Sequence, residues 1–161
     1  MSPRWAPDPD VRRGRSVVWN LHVHLVFVTR YRRGVFDDEM LTRCEQVIRD
    51  VCADFGAELR EFNGEPDHVH LLVHHPPTIA LSRLVNSLKG VSSRPLRAED
   101  VGRINRASTR GHLWSPSYFA ASCGGAPLEI VKEYIRGQKR CQTRDAIPPG
   151  PEGPGFLARL W

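Results

Sequence analysis

The apolar residues of the chain recur with two different periods. Val17 to Thr29 (VVWNLHVHLVFVT) is β-branched and aromatic and contains neither Gly nor Pro. Such a run predicts a buried central strand. From about Asp38 to Phe55 the period lengthens. Leu41, Cys44, Val47, Ile48, Val51 and Cys52 fall at helical spacing, on one face of a helix. Asp37 is placed to cap its start and Gly56 to stop its end. Ala57 to Asn63 returns to strand character, and Asn63-Gly64-Glu65-Pro66 reads as a turn. A third strand is predicted over Asp67 to His75, closed by Pro76-Pro77, because proline has no N–H for the ladder. Thr78 to about Pro95 predicts a second helix, with Ile79, Leu81, Leu84, Val85 and Leu88 as its apolar stripe. Arg97 to Gly111 is polar and weakly periodic, a surface excursion. Leu113 to Ser122 predicts a fourth strand, and Gly124-Gly125 a flexible joint. Pro127 suits the first turn of a last helix reaching about Cys141. Ile147 to Gly155 is too rich in Pro and Gly for regular structure.

The resulting order is strand, helix, strand, strand, helix, strand, helix. It predicts an α+β, ferredoxin-like (RNA-recognition-motif-like) antiparallel sheet with helices on one face, plus a C-terminal helix. At 161 residues, one folded domain is expected. We place it at 16–142, between a disordered basic arm (1–15) and a Pro/Gly-rich tail (143–161).

Composition narrows the partners. The formal net charge is +5, and 20 of the 23 basic residues are arginine. The guanidinium fork matches phosphate bidentately, so a nucleic acid fits, although solubility alone explains a surplus of this size equally well. Cys44, Cys52, Cys123 and Cys141 form no CxxC pair and no disulfide framework, which predicts reduced, buried thiols. No apolar run approaches the ~20 residues of a membrane span, and the polar start has no signal-peptide core. A cytoplasmic protein is expected.

The stretch Pro66-Asp67-His68-Val69-His70-Leu71-Leu72-Val73 carries the chemistry. Strand side chains alternate, so His68 and His70 share a face with Val69 turned away. Two imidazoles can hold one metal ion but cannot complete its shell or supply a nucleophile. In the last helix, Tyr134 and Gln138 stand four residues apart, one turn from each other on one face. A tyrosine beside an apolar stripe is ordinarily a core-edge residue. Together, though, two His and one Gln make three neutral ligands for a Lewis-acidic divalent ion acting on a phosphodiester. The phenol, with a reference pKa of ~10, needs activation to attack phosphorus. A phosphotyrosine link would conserve the phosphodiester's energy for rejoining without ATP.

The chain resembles the HUH-type single-tyrosine transposases, the transposase A proteins of insertion sequences of the 200/605 type, which move as single-stranded DNA. The resemblance runs from about Val17 to Gln138. It rests on Thr29-Arg30-Tyr31-Arg32-Arg33, on GEPDHVHLLV at 64–73, on LKGVSSR at 88–94, on LWSPSYF at 113–119 and on EIVKEYIRGQ at 129–138. It implies His68, His70 and Gln138 as ligands of Mg²⁺ or Mn²⁺. It implies Tyr134 as the nucleophile, forming a 5′-phosphotyrosine and freeing a 3′-OH. It further implies a homodimer recognising hairpins near element ends, with the tyrosine helix able to serve the partner's His pair and Gly124-Gly125 as the hinge of such a swap. The arm at 1–15 and the tail after Ile147 depart from the family's pattern.

Several other residues compete for roles. His22-Val23-His24 repeats the motif inside a long apolar strand. Neighbouring strands would make His24 an outer partner of the site rather than a ligand. Asp67 can orient His68 or serve the turn. His74 is expected at solvent or rim, and His112 in a loop. Tyr118 is the alternative nucleophile, with core packing the simpler role. Tyr31, in a basic turn, can stack on or pair with DNA. Arg30, Arg32, Arg33, Lys89, Ser92, Arg94 and Arg97 are DNA-contact candidates. Trp19, Trp114 and Trp161 can stack on bases, with core burial simpler for the first two. Two other functions fit parts of the pattern: a non-catalytic or domesticated nucleic-acid-binding module on the same fold, and a rolling-circle-type initiator nuclease.

Overall fold

A computed structural model describes residues 10–99 and 112–123. The described elements are β1 (Arg12–Arg13), β2 (Val18–Trp19), β3 (His22–Val28), α1 (Asp38–Asp54), β4 (Glu58–Glu65), β5 (His68–His74), α2 (Leu81–Glu99) and β6 (Phe119–Ser122), with a short 3₁₀ turn at Arg30–Arg32. β4, β5, β3 and β6 lie side by side in that order, all antiparallel. Among these four, the order in space is second, third, first, fourth, which is the expected ferredoxin-like sheet. The last predicted helix, the Gly124-Gly125 joint, the 143–161 tail and Trp161 lie outside the described residues.

β3 is the spine. It pairs with β5 and β6, and all seven of its residues are buried, as expected of a strand covered on both faces. Val23, Leu25 and Phe27 face the two helices together with Val69, Leu71 and Val73 of β5. The helices add Leu41, Cys44, Ile48, Val51 and Cys52 from α1, and Leu84, Val85, Leu88 and Leu96 from α2. Burial drives the Cys44 and Cys52 thiols up to about 12, so both stay protonated.

α1 follows its sequence signals closely. The Asp37 side chain accepts from the Met40 N–H at 2.8 Å. Gly56, at φ +70°, takes the left-handed position past the end, and Ala57 N–H closes back on Cys52 O at 2.8 Å. Gly64 lets β4 approach this helix, since a Cβ there would stand 2.2 Å from Leu41 Cδ2.

Four boundaries differ from expectation. The first predicted strand breaks at Asn20-Leu21. Its start instead pairs with Arg12–Arg13, around a turn closed by Gly14 N–H on Val17 O at 2.7 Å. Residues 10–15 are therefore structured rather than part of a disordered arm, and Trp19 packs over Gly14 in a half-buried position. β4 runs on through the predicted turn to Glu65, leaving only Pro66-Asp67 between the strands. α2 starts at Leu81 and continues through Pro95 to Glu99, because Leu96 is buried and Glu99 pairs with Arg43 of α1 at 3.1 Å. The fourth strand is limited to Phe119–Ser122. Ahead of it, Trp114 makes an isolated bridge with Thr29.

Candidate metal centre

Alternation along β3 and β5 turns five histidines to the sheet face opposite the helices: His22, His24, His68, His70 and His74. The antiparallel register divides them. His22 stands directly across from His74, Val26 across from His70 and Val28 across from His68.

At one end, the His68 and His70 rings lie 5.0 Å apart between centroids, nearly perpendicular. His68 keeps slight exposure, while His70 is buried. Asp67 Oδ1 accepts from His68 Nδ1 at 2.6 Å. Burial resists ionisation of that carboxyl. The hydrogen bond to His68, the charge of His68 and Arg32 outweigh it and hold Asp67 below the usual carboxylate range. His70 Nδ1 lies 3.0 Å from His24 Nε2, a buried contact reached diagonally across the ladder. Burial, reinforced by His68 and His24, pushes His70 down to about 3. It therefore stays neutral, the form that ligates a metal.

Each imidazole of the pair is thus tied back through Nδ1, which leaves Nε2 for the site. His70 Nε2 is buried and takes no hydrogen bond. A buried, unsatisfied ring nitrogen costs about 1–3 kcal/mol. A cation would satisfy it, and the Nδ1 tether is the usual support of a metal-binding histidine. The donor set fits a divalent ion but is incomplete: among the described residues no group of three His, Cys, Asp or Glu is arranged for a metal. Tyr134 and Gln138 lie outside the described residues.

At the other end of the face, His22 and His74 stack at 4.3 Å. Both are buried, so the rim position expected for His74 is incorrect. The cause is register: position 74 is still inside the ladder, opposite His22. Asn63, directly across from His70 on β4, is also buried beside the centre. Sequence reasoning missed it because the turn that sets the register of β4 lies at Pro66-Asp67, later in the chain than predicted.

Two DNA-contact candidates prove to be internal braces. Lys89 Nζ donates to the carbonyls of Ser115 and Ser117 and lies over the rings of Phe27 and Tyr118. Burial pulls it down to about 8. Ser92 is fully buried and accepts from Trp114 Nε1 at 3.0 Å. Tyr118 is 36% exposed beside Lys89 rather than packed in the core, because the chain is not yet in β6 there. Trp114 is the core residue expected, against Phe27 and Phe36. Arg94 is exposed, and Arg97 Nε donates to Ser93 O. Arg30, Arg32 and Arg33 ring the turn after β3, and His112 lies outside regular structure, as expected, and is exposed.

A family profile described as "Transposase IS200 like" matches residues 17–138. The chain belongs to that family. It is a single-tyrosine transposase of the IS200/IS605 type. The ISDra2 transposase TnpA of Deinococcus radiodurans is 30% identical over 129 residues, covering 80% of this chain and 91% of the relative. A transposase for insertion sequence element IS200 from Salmonella typhimurium is 29% identical over 120 residues, covering 74% and 78%. Among solved structures, a crystal structure assigned to a transposase of Deinococcus radiodurans superposes with a TM-score of 0.66 at 31% identity, over 79% of this chain and 97% of the other. A REP-associated tyrosine transposase, solved bound to a REP hairpin, shares the fold with a TM-score of 0.54 at 14% identity, over 93% and 87%. His68 and His70 lie inside the matched span of this transposase, as do Tyr134 and Gln138. No helix among the described residues is long and apolar enough to cross a membrane.

Proposed function

We propose that this transposase cleaves and rejoins single-stranded DNA at hairpin-marked element ends, within a catalytic domain spanning 16–142. His68, His70 and Gln138 hold Mg²⁺ or Mn²⁺, and Tyr134 is the nucleophile. The observation that carries this reading is the pair of histidines on one strand face, both tethered through Nδ1, with a buried, unsatisfied Nε2 on His70. A divalent cation at that position supplies Lewis-acid polarisation of the scissile phosphate. Asp67 and His24 keep the two imidazoles oriented. The Tyr134 oxygen gives up its proton and bonds to phosphorus as the phosphorus–O3′ bond breaks. The leaving oxygen takes up a proton, which yields a 3′-OH and a 5′-phosphotyrosine. Attack by a 3′-OH on that link reverses the step and frees the tyrosine. Hairpin recognition is in keeping with the REP hairpin bound by the structural relative. The active form is a homodimer in which the Tyr134 helix, hinged at Gly124-Gly125, can serve the partner's histidines.

The test incubates the protein with single-stranded hairpin DNA and Mn²⁺ or Mg²⁺, then denatures it. Wild type forms a covalent adduct and Tyr134→Phe forms none. An adduct surviving in Tyr134→Phe removes Tyr134 from its role, and no adduct on cognate ends supports a non-catalytic binding module instead. Mixing His68→Ala with Tyr134→Phe subunits restores the adduct if sites are built across the dimer.

A further inference from the structure

Among the described residues, Tyr31 and Arg32 are the non-glycine residues with positive φ, at 57° and 53°. In that region an L residue's Cβ crowds the backbone, a cost normally avoided by glycine or asparagine. Here two successive side-chain-bearing residues adopt it, and the surroundings enforce it. Thr29 N–H donates to Asp67 O at 2.9 Å, the Thr29 hydroxyl lies 2.6 Å from Arg33 O and 3.0 Å from Asp67 O, and Arg32 N–H closes on Thr29 O at 2.9 Å. Val35 and Phe36 N–H groups donate to Pro66 O. The strained turn is thus stitched to the two residues that precede His68.

Core packing does not account for the strain. Tyr31 is 51% exposed, with the Arg30 guanidinium 5.2 Å from its ring centroid. Arg32 reaches Asp67 Oδ2 at 3.6 Å, on the carboxylate whose other oxygen holds His68. Arg33 is exposed beside them. Strain maintained by its surroundings at an exposed position is characteristic of functional sites. An aromatic face flanked by guanidinium groups is what an unpaired base and its phosphates recognise. Duplex bases, already stacked on both faces, have no face to offer.

We propose that Tyr31 is a stacking platform for one unpaired base of single-stranded DNA, with Arg30 and Arg33 on the adjoining phosphates, where the strand approaches His68. The proposal rests on the reading of the substrate as single-stranded DNA, but its test needs no cleavage. Affinity for a fluorescent single-stranded oligonucleotide is measured in chelator, with thermal melting alongside. Tyr31→Gly relieves the backbone strain, so it melts at or above the wild-type temperature and binds about five- to a hundredfold more weakly. Tyr31→Trp keeps wild-type affinity. An abasic site walked along the oligonucleotide weakens wild type at one position, and at that position has no effect on Tyr31→Gly. Unchanged affinity in Tyr31→Gly overturns the platform, as does a lowered melting temperature, which would make the ring structural. Wild type that binds no single strand sinks the DNA reading itself. Wild type that binds while Tyr31→Gly binds equally sinks only the platform.

Discussion

The two ring nitrogens of His70 meet different surroundings, and His24 decides which does what. His70 Nδ1 and His24 Nε2 lie 3.0 Å apart, and in the tautomer in which His70 Nδ1–H is the donor, His70 keeps its lone pair on the buried Nε2. In the proposed site His24 would act on a metal through another residue, by selecting a tautomer and fixing a ring. Removing such an outer partner typically costs 10- to 100-fold in metal affinity. We predict that His24→Phe binds Mn²⁺ about 10- to 100-fold more weakly in a calorimetric titration. His24→Gln, whose Oε1 can accept the same proton, keeps most of the affinity. Wild-type affinity in His24→Phe would show that His70 needs no such support.

At the scale of elements, α2 is joined to the segment before β6 by one buried hydrogen bond and one half-buried ammonium. Ser92→Ala leaves the Trp114 N–H buried without its acceptor, a loss of about 1–3 kcal/mol in denaturant-unfolding stability. Single-stranded DNA affinity in the folded variant should be unchanged, because the hydroxyl is fully buried. A weaker complex with unaltered stability would return Ser92 to the DNA interface. This corner was illegible in sequence for a physical reason. A small, hydroxylated, basic stretch has the composition of a phosphate site, and only the docking of residues 113–118 shows where its polar groups are used. α1 was legible because its determinants are local: an apolar stripe, Asp37 before it and Gly56 after it. The end of α2 was not, because proline's local preference is overridden by the burial of Leu96 and the Arg43–Glu99 pair.

For the whole molecule, the charge surplus becomes directional. Arg30, Arg32 and Arg33 surround the strand end that carries His68. A strand neutralised by these three guanidinium groups should lose affinity with a log–log salt slope of about −2, about −0.7 per phosphate on single strands. Arg33→Ala should flatten that slope by about 0.7. Salt-independent binding would rule out a phosphate track. That His68 and His70 share a face of β5 was readable because side-chain alternation needs no tertiary information. The partnership of His24 with His70 was readable only as proximity, since the diagonal contact depends on a register that strand sequences do not announce. Tyr31 looked like any aromatic in a basic turn, and only its backbone angles set it apart.

The Thr29–Asp67 contacts have a consequence for how the chain finds this fold. β3 and β5 both alternate apolar and histidine-bearing positions, so sliding one past the other by two residues would keep every apolar side chain on the helix side. Hydrophobic burial alone barely distinguishes the correct alignment from that neighbour. In the shifted one, His24 would face His70 squarely, Asp67 would lie opposite Phe27 and the His74 end would hang past the start of β3. The polar stitches from Thr29, Val35 and Phe36 to Pro66-Asp67 form in only one alignment. They therefore act as an index mark, and errors in them would yield a compact, well-buried protein with its histidines mispaired.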